Sequence, residues 1–82
     1  MSDTMQEMAD REILRYAVQR EMFCPASGKI LDVKTAVLLM GEDIRPRIMH
    51  AEIWDSIAEE AMVAMANLDL TPEVYDGRVL FA

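Results

Sequence analysis

Cysteine, basic residues and long apolar runs are scarce in this chain of 82 residues. Its single cysteine, Cys24, has no partner for an internal disulfide, which is typical of proteins from a reducing compartment. Eight Lys and Arg residues stand against fifteen Asp and Glu residues, and the net charge of −7 disfavours direct binding to nucleic acid or to anionic membranes. No apolar run approaches the roughly 18 residues that a membrane-spanning helix needs, so we expect a soluble protein.

The chain begins with a polar, acidic segment, Met1-Ser2-Asp3-Thr4. It lacks the basic start and apolar stretch of a signal peptide, and we therefore expect a cytoplasmic location. Residues 1–82 have room for one core and are expected to form a single small acidic domain. Such a domain buries only about 60 to 65% of its unfolded surface. Because 52% of the residues are hydrophobic, we expect the excess to be covered by self-association, as a homodimer.

Residues 3–20 have the apolar spacing of an amphipathic helix. One stripe at three- and four-residue intervals contains Met5, Met8, Ala9, Ile13, Tyr16 and Ala17. Leu14 and Val18 lie at the edge of this stripe. We expect the stripe to be the buried face of the helix.

The central part of the chain is rich in β-branched and apolar residues, most clearly from Lys29 to Met40. Residues 45–55 fit either a strand that returns antiparallel around a turn at residues 41–46 or the first turns of a helix. The capping-box pattern Ser56-x-x-Glu59 is typical of a new helix start and favours a strand followed by a helix.

The last third contains a helical segment, Ser56 to Asn67, and then Asp76-Gly77 between two apolar runs, which is the strongest short-range hairpin signal. The whole pattern predicts an α+β fold with an N-terminal helix, a central antiparallel β-meander, a second helix and a C-terminal β-hairpin. The expected core residues are Ile13, Tyr16, Ala17, Phe23, Leu31, Val37, Leu39, Ile53, Trp54, Ile57, Ala61, Met65 and Leu80.

The segment Phe23-Cys24-Pro25-Ala26-Ser27-Gly28 resembles one half of a zinc-ribbon knuckle, in which an aromatic residue precedes Cys-Pro-x-Cys-Gly and a strand follows. The resemblance implies a knuckle-shaped turn, although Ser27 stands at the second cysteine position. A degenerate metal-binding knuckle is one alternative function, and it would need Cys24, His50 and a carboxylate of Asp32 or Glu52. We expect a buried Cys24, a capping or partly buried His50, and no metal or cofactor.

The order of helix, Phe23–Leu39 segment and acidic C-terminal third resembles small uncharacterised proteins of bacteriophages, particularly those of actinobacteria. This resemblance implies a regulatory, host-directed binding role and brings no catalytic residues with it.

Residues 52–82 hold seven acidic residues and a single base, Arg78. Such a surface would suit a partner protein with a basic surface. The candidate interaction residues are Glu52, Asp55, Glu59, Glu60, Asp69, Glu73 and Asp76. Because no constellation of nucleophile, base and orienting group is recognisable, we predict a non-catalytic protein-interaction or regulatory module and not an enzyme. The other alternative is an acidic inhibitor that mimics nucleic acid in the groove of a basic, nucleic-acid-binding protein.

Overall fold

The computed structural model describes the backbone of residues 2–82 and the side chains of residues 5–82. In chain order it contains α1 (Ser2–Glu21), β1 (Ala36–Gly41), β2 (Ile44–His50), α2 (Ala51–Asn67), β3 (Glu73–Asp76) and α3 (Gly77–Leu80). The α+β class predicted from the sequence is confirmed. Within the described residues, no helix combines the length and apolar character needed to cross a membrane.

Across residues 2–82, three antiparallel strands form one sheet in the order β2-β1-β3. A tight turn at residues 42–43 joins β1 to β2, and Leu38 lies opposite Ile48. On the other side of β1, Leu38 lies opposite Tyr75 of β3. The predicted central meander is therefore wrong, because the third strand of the sheet comes from the C-terminal part of the chain and pairs with β1.

The sheet lies between α1 and α2, and the alternation of β1 side chains supplies a core to each. Leu38 faces α1, where it belongs to a buried cluster with Leu14 and Val18. Val37 points to the opposite face and packs with Trp54 of α2. A central strand covered on both faces has to be apolar at every position, which accounts for the continuous apolar run in β1.

Helix α2 begins at Ala51, five residues before the predicted start at Ser56. The preferred prediction, a strand over residues 45–55 and a helix from Ser56, is confirmed for the strand up to His50 and is wrong for residues 51–55, which are helical. His50 Nδ1 accepts the backbone N–H of Glu52 at 3.1 Å and caps the helix, as expected for this histidine. Ser56 Oγ instead donates to the Ile53 carbonyl within the helix at 2.7 Å, so the capping-box pattern is not used.

The predicted C-terminal hairpin is wrong, because residues 77–80 form a helical turn and β3 pairs with β1. Asp76 Oδ1 accepts the backbone N–H of Arg78 at 2.9 Å and caps this turn. A Cβ atom on Gly77 would lie 1.7 Å from the carbonyl oxygen of Val33. Glycine is therefore required here for close packing of α3 against the chain, and not for a left-handed turn.

Helix α1 is rotated relative to the prediction. Leu14 and Val18, expected at the edge of the apolar stripe, are 0% and 8% exposed, whereas Ile13 and Tyr16 are 37% and 63% exposed. Phe23 and Ile57 were also predicted in the core and are exposed. Four predicted core residues are buried, namely Leu31, Val37, Leu39 and Trp54, and five are half-buried, namely Ala17, Ile53, Ala61, Met65 and Leu80.

Candidate interaction face

A groove of about 410 Å³ opens between α1 and β2 on one face of the sheet. Its wall is the side of α1 that carries Ile13 and Tyr16, and its floor is formed by β1 and β2. The groove is mostly apolar, with the lining residues Ile13, Tyr16, Ala17, Arg20, Glu21, Leu38, Met40, Pro46 and Ile48.

Two contacts attach α1 to the C-terminal turn. Arg11 Nε donates a hydrogen bond of 2.6 Å to the Leu80 carbonyl of α3. The Arg15 guanidinium lies 5.4 Å from the centre of the Phe81 ring, a distance at which a cation attracts the face of an aromatic ring. Leu38 and Ile48 at the bottom of the groove are buried against Leu14 and Val18 of α1, so the accessible apolar surface comes from the groove wall and rim.

The apolar stripe of α1 is consequently directed towards the groove and the solvent. Met5 is 78% exposed and Met8 is 57% exposed, at the other end of the helix from the groove wall. We call the combined surface the interaction face. It consists of the exposed Met5, Met8, Ile13 and Tyr16 of α1 with Met40 and Pro46 at the groove.

The sequence-predicted knuckle is present between α1 and β1. The backbone N–H of Gly28 donates to the Cys24 carbonyl at 2.8 Å, the N–H of Cys24 donates to the Lys29 carbonyl at 2.8 Å, and the Ser27 N–H lies 3.4 Å from Cys24 Sγ. Gly28 has a φ of +75°, which suits glycine. An isolated antiparallel bridge between Phe23 and Ile30 closes the turn, and both side chains are exposed.

The Cys24 side chain is buried, as predicted, and accepts hydrogen bonds from its surroundings. Burial raises the pKa of the Cys24 thiol. Hydrogen bonds from the Ser27 side chain and from the backbone of His50, Ser27 and Ala26 outweigh burial and lower the pKa to about 7.

The residues that a metal-binding knuckle would need are engaged elsewhere. The ring Nδ1 of His50 caps α2. The Glu52 carboxylate pairs with the Lys29 ammonium, and this contact holds the pKa of Glu52 below its usual range. In the part of the chain that the structure describes, no group of three His, Cys, Asp or Glu side chains is arranged to hold a metal ion.

The seven acidic candidate residues are distributed over α2, the following turn, β3 and its end. The Arg78 guanidinium donates to both Asp55 and Asp76. The distance from Nη1 to Asp55 Oδ2 is 2.7 Å, and the distance from Nη2 to Asp76 Oδ2 is 2.9 Å. The Tyr75 hydroxyl donates to Glu73 at 2.6 Å, and this bond, with burial and the negative charge, raises the pKa of Tyr75 to about 12.

Two acidic residues, Glu59 and Glu60, lie on the outer surface of α2 beside Val63. Asp69 follows the end of that helix with a φ of +57°. Lys29 pairs with Glu52, and the single positive charge of Arg78 is shared between Asp55 and Asp76, so the acidic third keeps most of its negative charge.

Comparison with protein-family models, curated proteins and solved structures finds no match to this chain. The resemblance to zinc-ribbon knuckles and to bacteriophage proteins therefore stays a prediction. The functional argument rests on the geometry of the interaction face alone.

Sequence reasoning missed the floor and edge of the groove, because Met40, Pro46 and Ile48 become neighbours of α1 only when the hairpin folds. One signal was present in the chain. The helix has two apolar directions, one through Leu14 and Val18 and one through Met5, Ile13 and Tyr16. A monomer with a single helix-to-sheet contact can bury only one of them.

Proposed function

We propose that this protein is a non-catalytic protein-interaction module that binds a protein through the interaction face. The observation that carries the proposal is the exposure of the apolar stripe of α1, which continues into a groove. Soluble monomers rarely leave a contiguous apolar surface of this kind uncovered, and such patches mark sites of association.

The composition of the interaction face favours the binding of a protein over the catalysis of a reaction. Methionine side chains present large, adaptable contact areas, and tyrosine side chains present large, rigid ones. Both residue types are enriched in interfaces. Arg20 and Glu21 supply charged groups at the rim of an otherwise apolar groove.

We also propose a cytoplasmic location and a regulatory role. The reducing cytoplasm keeps the Cys24 thiol in the form that accepts the knuckle hydrogen bonds. Glu59 and Glu60 lie on α2, and α2 covers the opposite face of the sheet from the interaction face. A partner with a basic surface would be accommodated there by charge.

The proposal is tested by photo-crosslinking in cells that produce the protein. Tyr16 is replaced by p-benzoylphenylalanine, and irradiation is expected to attach a protein to this position. Leu68 is the matched control, because it is 70% exposed but lies at the end of α2, away from the interaction face. No adduct from position 16, or equal yields from both positions, would contradict the proposal.

A further inference from the structure

A second groove, of about 440 Å³, adjoins the first along β2. Its walls include Pro25 of the knuckle and Ile57 of α2. Apart from Glu21 and one arginine, the side chains that line it are apolar. Glu21, Pro46 and Ile48 line both grooves, so an apolar surface runs from the interaction face around the edge of β2 to α2.

One arginine stands on each side of this strand. Arg47 lies opposite Leu39 in the β1–β2 pair, and Leu39 packs with Trp54 of α2. Directly opposed residues in a sheet point to the same face, so Arg47 lies on the α2 face, where it lines the second groove. Arg20 lies in the last turn of α1, on the other face, and lines the first groove.

The cations beside β2 are those that the chain itself leaves uncompensated. Arg11, Arg15, Lys29 and Arg78 form ion pairs with carboxylates of this chain. Among the side chains of residues 5–82, the remaining four bases have no carboxylate within 4.0 Å, namely Arg20, Lys34, Arg45 and Arg47. Arg20 Nη1 instead lies 3.5 Å from the neutral Tyr16 hydroxyl. Three of these four bases thus lie beside the edge of β2.

The acidic groups near this edge are few for a chain with a net charge of −7. The lining of the two grooves carries Arg20 and Arg47 against a single carboxylate, that of Glu21. Arg45 precedes Pro46, but it follows the turn that contains Glu42 and Asp43. The charge argument therefore rests on the two arginines that line the grooves.

An apolar groove with an uncompensated arginine on each side is suited to carboxylates that flank apolar side chains. A guanidinium is weakly hydrated and binds a carboxylate through two parallel hydrogen bonds. A lysine or arginine of a partner would instead meet a like charge, which is a means by which interfaces exclude wrong partners. Arginine and tyrosine are also the residue types that carry much of the binding energy in interfaces.

The edge of β2 directs such a segment to bind through its side chains. Pro46 in the middle of the strand lacks an N–H group, so a partner cannot pair with β2 along its whole length as an added strand. The exposed proline ring instead separates two apolar grooves, and each groove can take an apolar side chain of the same segment.

We propose, on the basis of the proposed function, that the occupant of the interaction face and the second groove is an acidic segment of another protein. Its apolar side chains enter the two grooves, and its carboxylates bind Arg20 and Arg47. The acidic surface of α2 at Glu59 and Glu60 takes no part in this contact.

Selection from a displayed library of random peptides on the purified full-length chain tests the class of ligand. Enriched peptides should contain more Asp and Glu than Lys and Arg, with at least two apolar residues. An enriched peptide should bind more weakly at high salt, and it should crosslink to p-benzoylphenylalanine at position 16 and not at position 68. Enriched peptides that are neutral or basic, or no enrichment at all, would overturn the proposal.

Charge reversal tests the two arginines. Arg20→Glu and Arg47→Glu should together weaken the binding of an enriched peptide about tenfold or more. The control is Lys34→Glu, because Lys34 is exposed, has no ion pair among the described side chains and lines neither groove. Lys34→Glu should change the affinity little, whereas a loss equal to that of either single arginine variant would mean that only net charge matters and would overturn the proposal. Circular dichroism verifies that each variant is folded.

The failure of this inference is distinguishable from the failure of the proposed function. If position 16 crosslinks to a protein in cells but the library enriches neutral or basic peptides, the proposed function stands and the acidic segment does not. If position 16 crosslinks to a second copy of this chain, the occupant is that copy, and the acidic segment of another protein is likewise overturned.

Discussion

Arg78 of α3 binds the Asp55 carboxylate of α2 with two hydrogen bonds, Nη1–Oδ2 2.7 Å and Nη2–Oδ1 2.9 Å. The same guanidinium also donates to Asp76 through Nε and Nη2. One side chain thus connects the C-terminal turn, the end of β3 and the second helix. These two carboxylates were predicted as partner-binding groups, and their nearest cation lies in their own chain.

Arg78→Met should lower the melting temperature near neutral pH. Hydrogen bonding to Arg78 lowers the pKa of Asp55, so this contribution to stability is present above the ordinary aspartate pKa of about 4 and is lost as the pH falls below it. The difference between wild type and variant should therefore shrink from pH 7 to pH 3 in thermal melts. Arg45→Met, at an exposed position of β2, is the control and should show little difference at either pH. A loss that does not change with pH would contradict the ion pair.

Cys24→Ser should destabilise the protein increasingly as the pH rises from 7 to 9. The folded state lowers the thiol pKa from its ordinary value of 9.0 to about 7, so the thiolate contribution is full above pH 9 and is lost as the pH falls through 7. Urea unfolding of both proteins at several pH values in this window measures the difference. Ser27→Ala removes one of the hydrogen bonds and should reduce the pH dependence without abolishing it. A constant difference between wild type and Cys24→Ser would show that the sulfur contributes by packing alone.

Gly77→Ala should destabilise the protein by about 1 to 3 kcal/mol or more, because the new methyl group would overlap the Val33 carbonyl. Urea unfolding measures the loss. The matched control is Gly28→Ala, where no atom lies within 4 Å of the new Cβ but φ is +75°. That control should cost about 1 to 2 kcal/mol from backbone strain. If Gly77→Ala is the milder of the two, α3 does not pack against Val33 as described.

Trp54→Ala should cost about 3 to 5 kcal/mol, a large part of the stability of so small a domain. Trp54 is 8% exposed and packs on Val37 and Leu39 from α2. Ile57→Ala on the same helix removes a side chain that is 38% exposed and should cost clearly less. Chemical denaturation of both variants gives the comparison, and equal losses would place Trp54 outside the core.

The sequence by itself determined the local features of this protein. The apolar periodicity of residues 3–20, the run in β1, the turn chemistry at Ser27-Gly28 and the alanine-rich α2 each depend on near neighbours in the chain. Helix, strand and knuckle were therefore predictable, because backbone preference and side-chain alternation act over a few residues.

The tertiary structure decided which apolar face is buried and what each charged residue binds. Leu14 and Val18 are buried because they pack with Leu38 and Ile48 of the sheet. Arg11 and Arg15 of the same helix contact Leu80 and Phe81, more than sixty residues away along the chain. The use of Gly77 for close packing likewise depends on Val33, a residue distant in sequence. The local pattern at Asp76-Gly77 suits both a hairpin and a capped helical turn, and packing selects between them. The interaction face exists for the same reason, since a helix with two apolar sides can bury only one against this sheet.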